Sequence, residues 1–176
     1  MKHTTHTLLA AVGAATLALA AVSCGDDDEK DRSEPPKIAR ITVSPLDGHT
    51  SIRAGERFVA TAVQSKTGVR LYKASYVWTA TSSGTGTASS KQNKSEVVYD
   101  NDNGDATDTL VVTEAGKYTL TFSADYRPSG STDNWISKNG SSFSESLDGG
   151  GTASYSAGVT LFKIKAVCTV NVLPAQ

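Results

Sequence analysis

The chain has 176 residues, with 17 Lys and Arg against 18 Asp and Glu, for a formal net charge of -1. That length suits one domain, and the balanced charge offers nothing to draw a nucleic acid or an anionic surface. Apolar residues make up 38% beside abundant Ser, Thr and Gly, a mixture that suits an extracellular all-β module with polar loops.

Lys2, His3 and His6 form a short, weakly basic start. Leu8 to Val22 is then apolar or small throughout, broken only by Gly13 and Thr16. A run of about 15 residues is too short for a membrane span, which needs about 20, and fits the apolar region of a secretory signal. Ala21-Val22-Ser23-Cys24 resembles the bacterial lipobox, although Ala21 stands where Leu is commoner in that pattern. The resemblance implies cleavage just before Cys24 and lipid on its sulfur. Two or three acyl chains hold a protein stably where one does so marginally.

Asp26-Asp27-Asp28-Glu29 follows at once. This acidic run is similar to the surface-export signal of Bacteroidota lipoproteins, which implies the outer face of the outer membrane. Residues 25–37 are rich in Asp, Glu, Lys, Ser and Pro, too polar to bury a core. The organisation expected is a leader over 1–23, a disordered acidic tether over 24–37 stiffened at its end by Pro35-Pro36, and a β-sandwich over 38–176. Cys168, inside a patterned strand, reads as a small buried hydrophobe rather than a disulfide partner of Cys24.

The cargo alternates from its start. Ile41 and Val43 face one way over 38–44, and Pro45-Leu46-Asp47-Gly48 turns the chain. Over 57–64, Phe58, Ala60 and Ala62 oppose Val59, Thr61 and Val63, which predicts a central strand. Tyr76, Trp78 and Ala80 share a face over 75–81, and Trp78 is expected to be the largest core residue. The Ser-, Gly- and Lys-rich stretch 82–95 has no period and reads as a mobile loop. Short strands are expected over 96–99 and 107–113. Over 117–124, Tyr118, Leu120, Phe122 and Ala124 alternate strictly with polar residues, which means one wet and one buried face. Residues 127–152 read as a long polar insertion, and 153–172 as β-rich, with Ile164, Ala166, Cys168, Val170 and Val172 on one face.

About seven short strands without helical period predict an all-β sandwich. Ile41-Thr42-Val43-Ser44-Pro45, Tyr76-Val77-Trp78 and the run Ala115 to Phe122 resemble the Ig-like and PKD-like modules of bacterial surface proteins. The resemblance implies a tyrosine, here Tyr118, near a tight turn joining the two sheets. Two departures stand out: Ser82-Ser83-Gly84-Thr85-Gly86 replaces the glycine-aspartate-glycine turn of PKD domains, and the inter-sheet disulfide of antibody domains is absent.

No catalytic set is expected, since outside the leader His49 is the only histidine and it lies in a turn. No cofactor is expected beyond lipid on Cys24. The best metal candidate is the turn 100–105, where Asp100, Asp102 and Asp105 offer oxygens to calcium, against the simpler reading of a polar hairpin turn. The best partner-binding candidate is the 127–152 insertion, placed at the same end as 64–74. Trp135, Tyr126 and Tyr72 there are candidate stacking groups for a sugar, against the reading that Trp135, Ile136 and Phe143 fold back to cap the sandwich. Two functions follow. One is a non-catalytic, lipid-anchored surface protein whose sandwich serves a protein partner or surface assembly as a binding module or spacer. The alternative is a carbohydrate-binding accessory of a glycan-uptake system. Exposed, coplanar rings favour the second, and buried rings the first.

Overall fold

The structure is a computed structural model that describes residues 31–46, 48–82, 93–97 and 105–176, with 93–97 as backbone. Its described part holds nine strands and one short helix: β1 (Lys37–Pro45), β2 (Arg57–Lys66), β3 (Leu71–Ser82), β4 (Asn93–Val97), β5 (Ala106–Val111), β6 (Gly116–Pro128), α1 (Asp133–Asn139), β7 (Ser142–Ser146), β8 (Thr152–Gly158) and β9 (Leu161–Val172). They build two antiparallel sheets, one ordered β1-β2-β5 and the other β4-β3-β6-β9-β8-β7. The sheets pack face to face over one core, so the fold is an all-β sandwich.

Period-two patterning places the core. Phe58, Ala60 and Ala62 are fully buried on the central strand β2, and Leu110 and Val112 join them from β5 and its end. Trp78 is the largest fully buried side chain among the described residues, with the Phe122 ring 5.1 Å away on the neighbouring strand β6. On β6 the alternation runs on past Ala124 to Tyr126, so every second residue from Tyr118 to Tyr126 faces the core. On β9, Phe162, Ile164, Ala166 and Val172 are buried, while Cys168 and Val170 pack against the core from partly exposed positions. Burial raises the Cys168 thiol above its ordinary value.

The link from β5 to β6 carries the chain from one sheet to the other. Tyr118, at the start of β6, closes that corner by donating its hydroxyl to the Glu114 carbonyl oxygen, 3.0 Å away. The placement expected of Tyr118 is therefore met.

At the ends of the stretch 82–95, read as a mobile loop, Ser82 belongs to β3 and residues 93–95 to β4, which pairs with β3. Two larger expectations change. The insertion 127–152 is not a loop: it holds α1 and β7, and β7 pairs with β8, in the stretch expected to be β-rich, as a hairpin that adds two strands to the larger sheet beyond β9. Three consecutive glycines, Gly149, Gly150 and Gly151, make its turn with positive φ. At Gly151 a Cβ would lie 2.1 Å from the Val167 carbonyl oxygen, so no other residue fits there without a shift. The hairpin also reaches the smaller sheet through the Asp148 amide, which donates to the Ala39 carbonyl at 2.9 Å.

The second change concerns the tether. Residues 31–37, placed in a disordered segment on composition, belong to the sandwich. Ser33, Pro35 and Pro36 are buried. The Ser33 amide donates to the Ser131 carbonyl at 2.6 Å, and Glu34 exchanges two backbone bonds with Val69, at 3.0 and 2.9 Å. The Ser33 hydroxyl donates to the Arg70 carbonyl at 2.7 Å and accepts from the Gly130 amide at 2.8 Å. Backbone bonds to the ends of β2, β3 and β6 thus order a segment whose composition alone cannot order it. The clasp is tight: a Cβ on Gly130 would sit 2.0 Å from the Asp31 carbonyl oxygen. Arg70, whose ion pair to Asp31 spans 3.2 Å, holds a positive φ of 48° there.

Candidate functional site

Trp135 lies on α1, whose seven residues follow closely on the end of β6. The indole is 9% exposed. The rings of Phe143 on β7 and Phe162 on β9 each lie 5.6 Å from it, the latter edge-on. Phe143 in turn stacks on Tyr155 of β8 at 4.7 Å, with only 11° between the ring planes. The four rings form one apolar layer under the hairpin, and Ile136 packs beside them. This is the capping arrangement.

A cleft of about 400 Å³ opens above Trp135, Phe143 and Tyr155, between residues 32–37 and α1. Ion pairs cross its rim. Glu34 pairs with Lys66 and, at 3.5 Å, with Arg32. Lys37 pairs with Glu145 at 3.0 Å. The Tyr155 hydroxyl donates to the Glu145 carboxylate at 3.0 Å and accepts from the Ile38 amide at 2.9 Å. Burial, first of all, raises the Tyr155 hydroxyl far above its ordinary value; the Ile38 amide opposes that, and Glu145 adds to it by hydrogen bond and charge. Apart from Arg32 with Glu34, and Tyr155 with Glu145 inside the hairpin, these contacts join the N-terminal segment or β1 to β2 or to the hairpin. The rim therefore ties the clasp and the hairpin to the sandwich, and the cleft lining sets four cations, Arg32, Lys37, Lys66 and Lys138, against two carboxylates, Glu34 and Glu145.

The three candidate stacking rings do not form a common surface. Tyr126 is 0% exposed, because it continues the inward alternation of β6. Trp135 lies beneath the clasp and hairpin. Tyr72 is 48% exposed and sits in the irregularity between Leu71 and Lys73, where the pairing of β3 with β6 slips. The signal that Tyr126 faces inward is present in the sequence: its spacing from Ala124 extends the period of two. The 64–74 and 127–152 stretches do meet at one end, where Leu71 pairs with Pro128 and the Ser129 amide donates to the Arg70 carbonyl at 2.8 Å.

Of the calcium candidates, Asp100 and Asp102 lie outside the described residues. The Asp105 carboxylate accepts the Gln64 amide at 2.8 Å, which joins the start of β5 to β2. Cys24 and the acidic run after it also lie outside the described residues.

A second concavity, of about 430 Å³, lies on the outer face of the larger sheet along β6, β9, β8 and β7. Sequence patterning gives no sign of it, because β7 has a single apolar residue and the boundary between β8 and β9 carries no strong turn signal. No family model, curated protein or solved structure matches the chain.

Proposed function

We propose that the chain is a non-catalytic, lipid-anchored cell-surface protein whose Ig-like sandwich is a binding or spacer module for a partner outside the cell. The lipobox-like Ala21 to Cys24 and the acidic run beyond it support the anchor and the outer-membrane surface. The strand orders β1-β2-β5 and β4-β3-β6-β9 support the Ig-like reading, as does the Tyr118 corner. The described contacts of the fold begin at Asp31, so at most about 25 Å of extended chain separates it from Cys24. The end carrying Asp31, Arg70 and Gly130 therefore lies nearest the anchor.

One observation carries the choice between partners at the loop end. Trp135 and Tyr126 are turned inward, which favours a binding or spacer role over a sugar platform of stacked rings. The carbohydrate-binding alternative keeps a separate support in the outer-face groove, whose chemistry is of another kind.

Palmitate labelling in the producing bacterium, with Cys24→Ser beside the parent chain, tests the anchor. Protease shaving of intact cells tests the surface. Label on the parent chain alone and digestion without lysis are the expected results. A parent chain without label, or one protected until lysis, overturns the proposal.

A further inference from the structure

The outer face of the larger sheet carries two transverse rows of side chains that converge on one groove. Backbone register aligns Ser123 of β6, Lys165 of β9, Ser154 of β8 and Ser144 of β7 in the first row. In the second, two residues along each strand, it aligns Asp125, Lys163, Ser156 and Ser142. All eight residues line the cavity of about 430 Å³. Four strands at about 4.8 Å spacing make the grid about 14 Å wide, and two residues of rise make it about 7 Å along the strands.

The side chains suit a particular kind of guest. Serines are small, so the groove is deep enough to bring a ligand close to the strand backbone. Each hydroxyl both donates and accepts, as a sugar hydroxyl does. The Ser144 and Ser154 hydroxyls already bond one another at 2.8 Å, and so stand as a pair at the edge of the groove. Lys163 and Lys165 project from the same face of β9, and among the described residues neither ammonium has an ion-pair partner. The lateral neighbours of Lys165 are both serines, whereas Lys163 has Asp125 on one side. An anionic group is therefore drawn to the Lys165 side of the groove. A protein partner is a poorer match, because the outward rows lack the aromatic and aliphatic anchors that carry protein interfaces; Phe143, Tyr155 and Ile164, which also line the cavity, belong to the alternate positions that pack on the core side.

We infer that this groove binds an acidic saccharide, with its carboxylate or sulfate at Lys165 and Lys163 and its ring hydroxyls on the serines of β8 and β7. The inference rests on the reading of the sandwich as a binding module and names that module's ligand class. Binding here requires no stacked ring, which is why the inward turn of Trp135 and Tyr126 does not oppose it.

Calorimetric titration of the full chain in detergent tests it, with trigalacturonate, a sulfated trisaccharide and neutral galactotriose as probes. The first two distinguish carboxylate from sulfate as the bound anion. At least one acidic probe is expected to bind at millimolar concentration or below, and the neutral probe at least about tenfold more weakly. The K163A/K165A variant is expected to fall to the neutral level with its thermal midpoint unchanged, and added salt to weaken the parent chain. Failure of both acidic probes overturns the inference. So does equal affinity for the neutral probe, or full affinity in K163A/K165A. Equal binding of an oligoglutamate peptide overturns it too and assigns the face to acidic peptides. Lipid labelling of Cys24 is indifferent to every one of these results, so a failure here is distinct from a failure of the anchored-module reading.

Discussion

The hydroxyl of Tyr118 donates to the carbonyl oxygen of Glu114, 3.0 Å away, across the corner where the chain leaves one sheet for the other. The ring itself is 1% exposed, so the bond is held by packing on both sides. Tyr118→Phe keeps the ring and removes only the bond. A loss of about 1 kcal/mol of stability is expected, with an unchanged dependence on denaturant. Equilibrium unfolding in urea checks it, and a loss below about 0.3 kcal/mol would mean that the corner does not rely on the bond.

The N-terminal clasp predicts a local effect. Gly130→Ala places a methyl group where the Asp31 carbonyl oxygen lies 2.0 Å away. The expected outcome is release of residues 31–36 at a cost of about 1–3 kcal/mol, with the sandwich still folded. Hydrogen exchange is the readout: the amides of Ser33 and Glu34 should lose protection while those of β2 and β6 keep theirs.

Trp135 and Tyr72 should respond oppositely to truncation. Trp135→Ala removes the centre of a layer formed with Phe143 and Phe162, and should cost about 3 kcal/mol. Tyr72→Ala, at a 48% exposed position, should stay within about 0.5 kcal/mol of the parent. Thermal melts of the two variants decide it; similar losses would contradict the assignment of Trp135 to the cap.

Alkaline pH should weaken the fold through Tyr155. Its hydroxyl is raised by burial and by Glu145, so the neutral form is favoured in the folded state. The contribution is fully present below the ordinary tyrosine range near 10 and is lost as pH rises towards the folded-state value. Stability measured from pH 8 to 11 should therefore decline, more steeply in the parent than in Tyr155→Phe. That variant should also start about 1 kcal/mol lower, having left the Ile38 amide without its acceptor.

Strands with one apolar face are legible in the residues alone. Phe58 to Ala62, Tyr76 to Ala80 and Tyr118 to Ala124 each show the period of two, and each lies on a strand of the sandwich. The hairpin is not legible in the same way. β7 reads Ser-Phe-Ser-Glu-Ser, with a single apolar residue, and its Glu145 gains its place from Lys37 and Tyr155, more distant in the chain. The groove is hidden for the same reason: its rows exist only once register sets Lys165 beside Ser154, and Ser154 beside Ser144. The clasp is hidden because backbone bonds hold it, and composition carries no record of those. Tyr126 is the opposite case, since the period of two that buries it continues unbroken from Ala124.

The proposed anchor tethers the sandwich to a membrane through Cys24, with the clasped end close to it. Mass spectrometry of the N-terminal peptide, from chain recovered out of the cell envelope of a lipoprotein-processing bacterium, decides between a lipid-bearing and an unmodified Cys24. The predicted peptide begins at Cys24 and carries a diacylglyceryl group on its sulfur. A peptide that begins elsewhere, or one with a free Cys24 thiol, would rule out the lipid anchor.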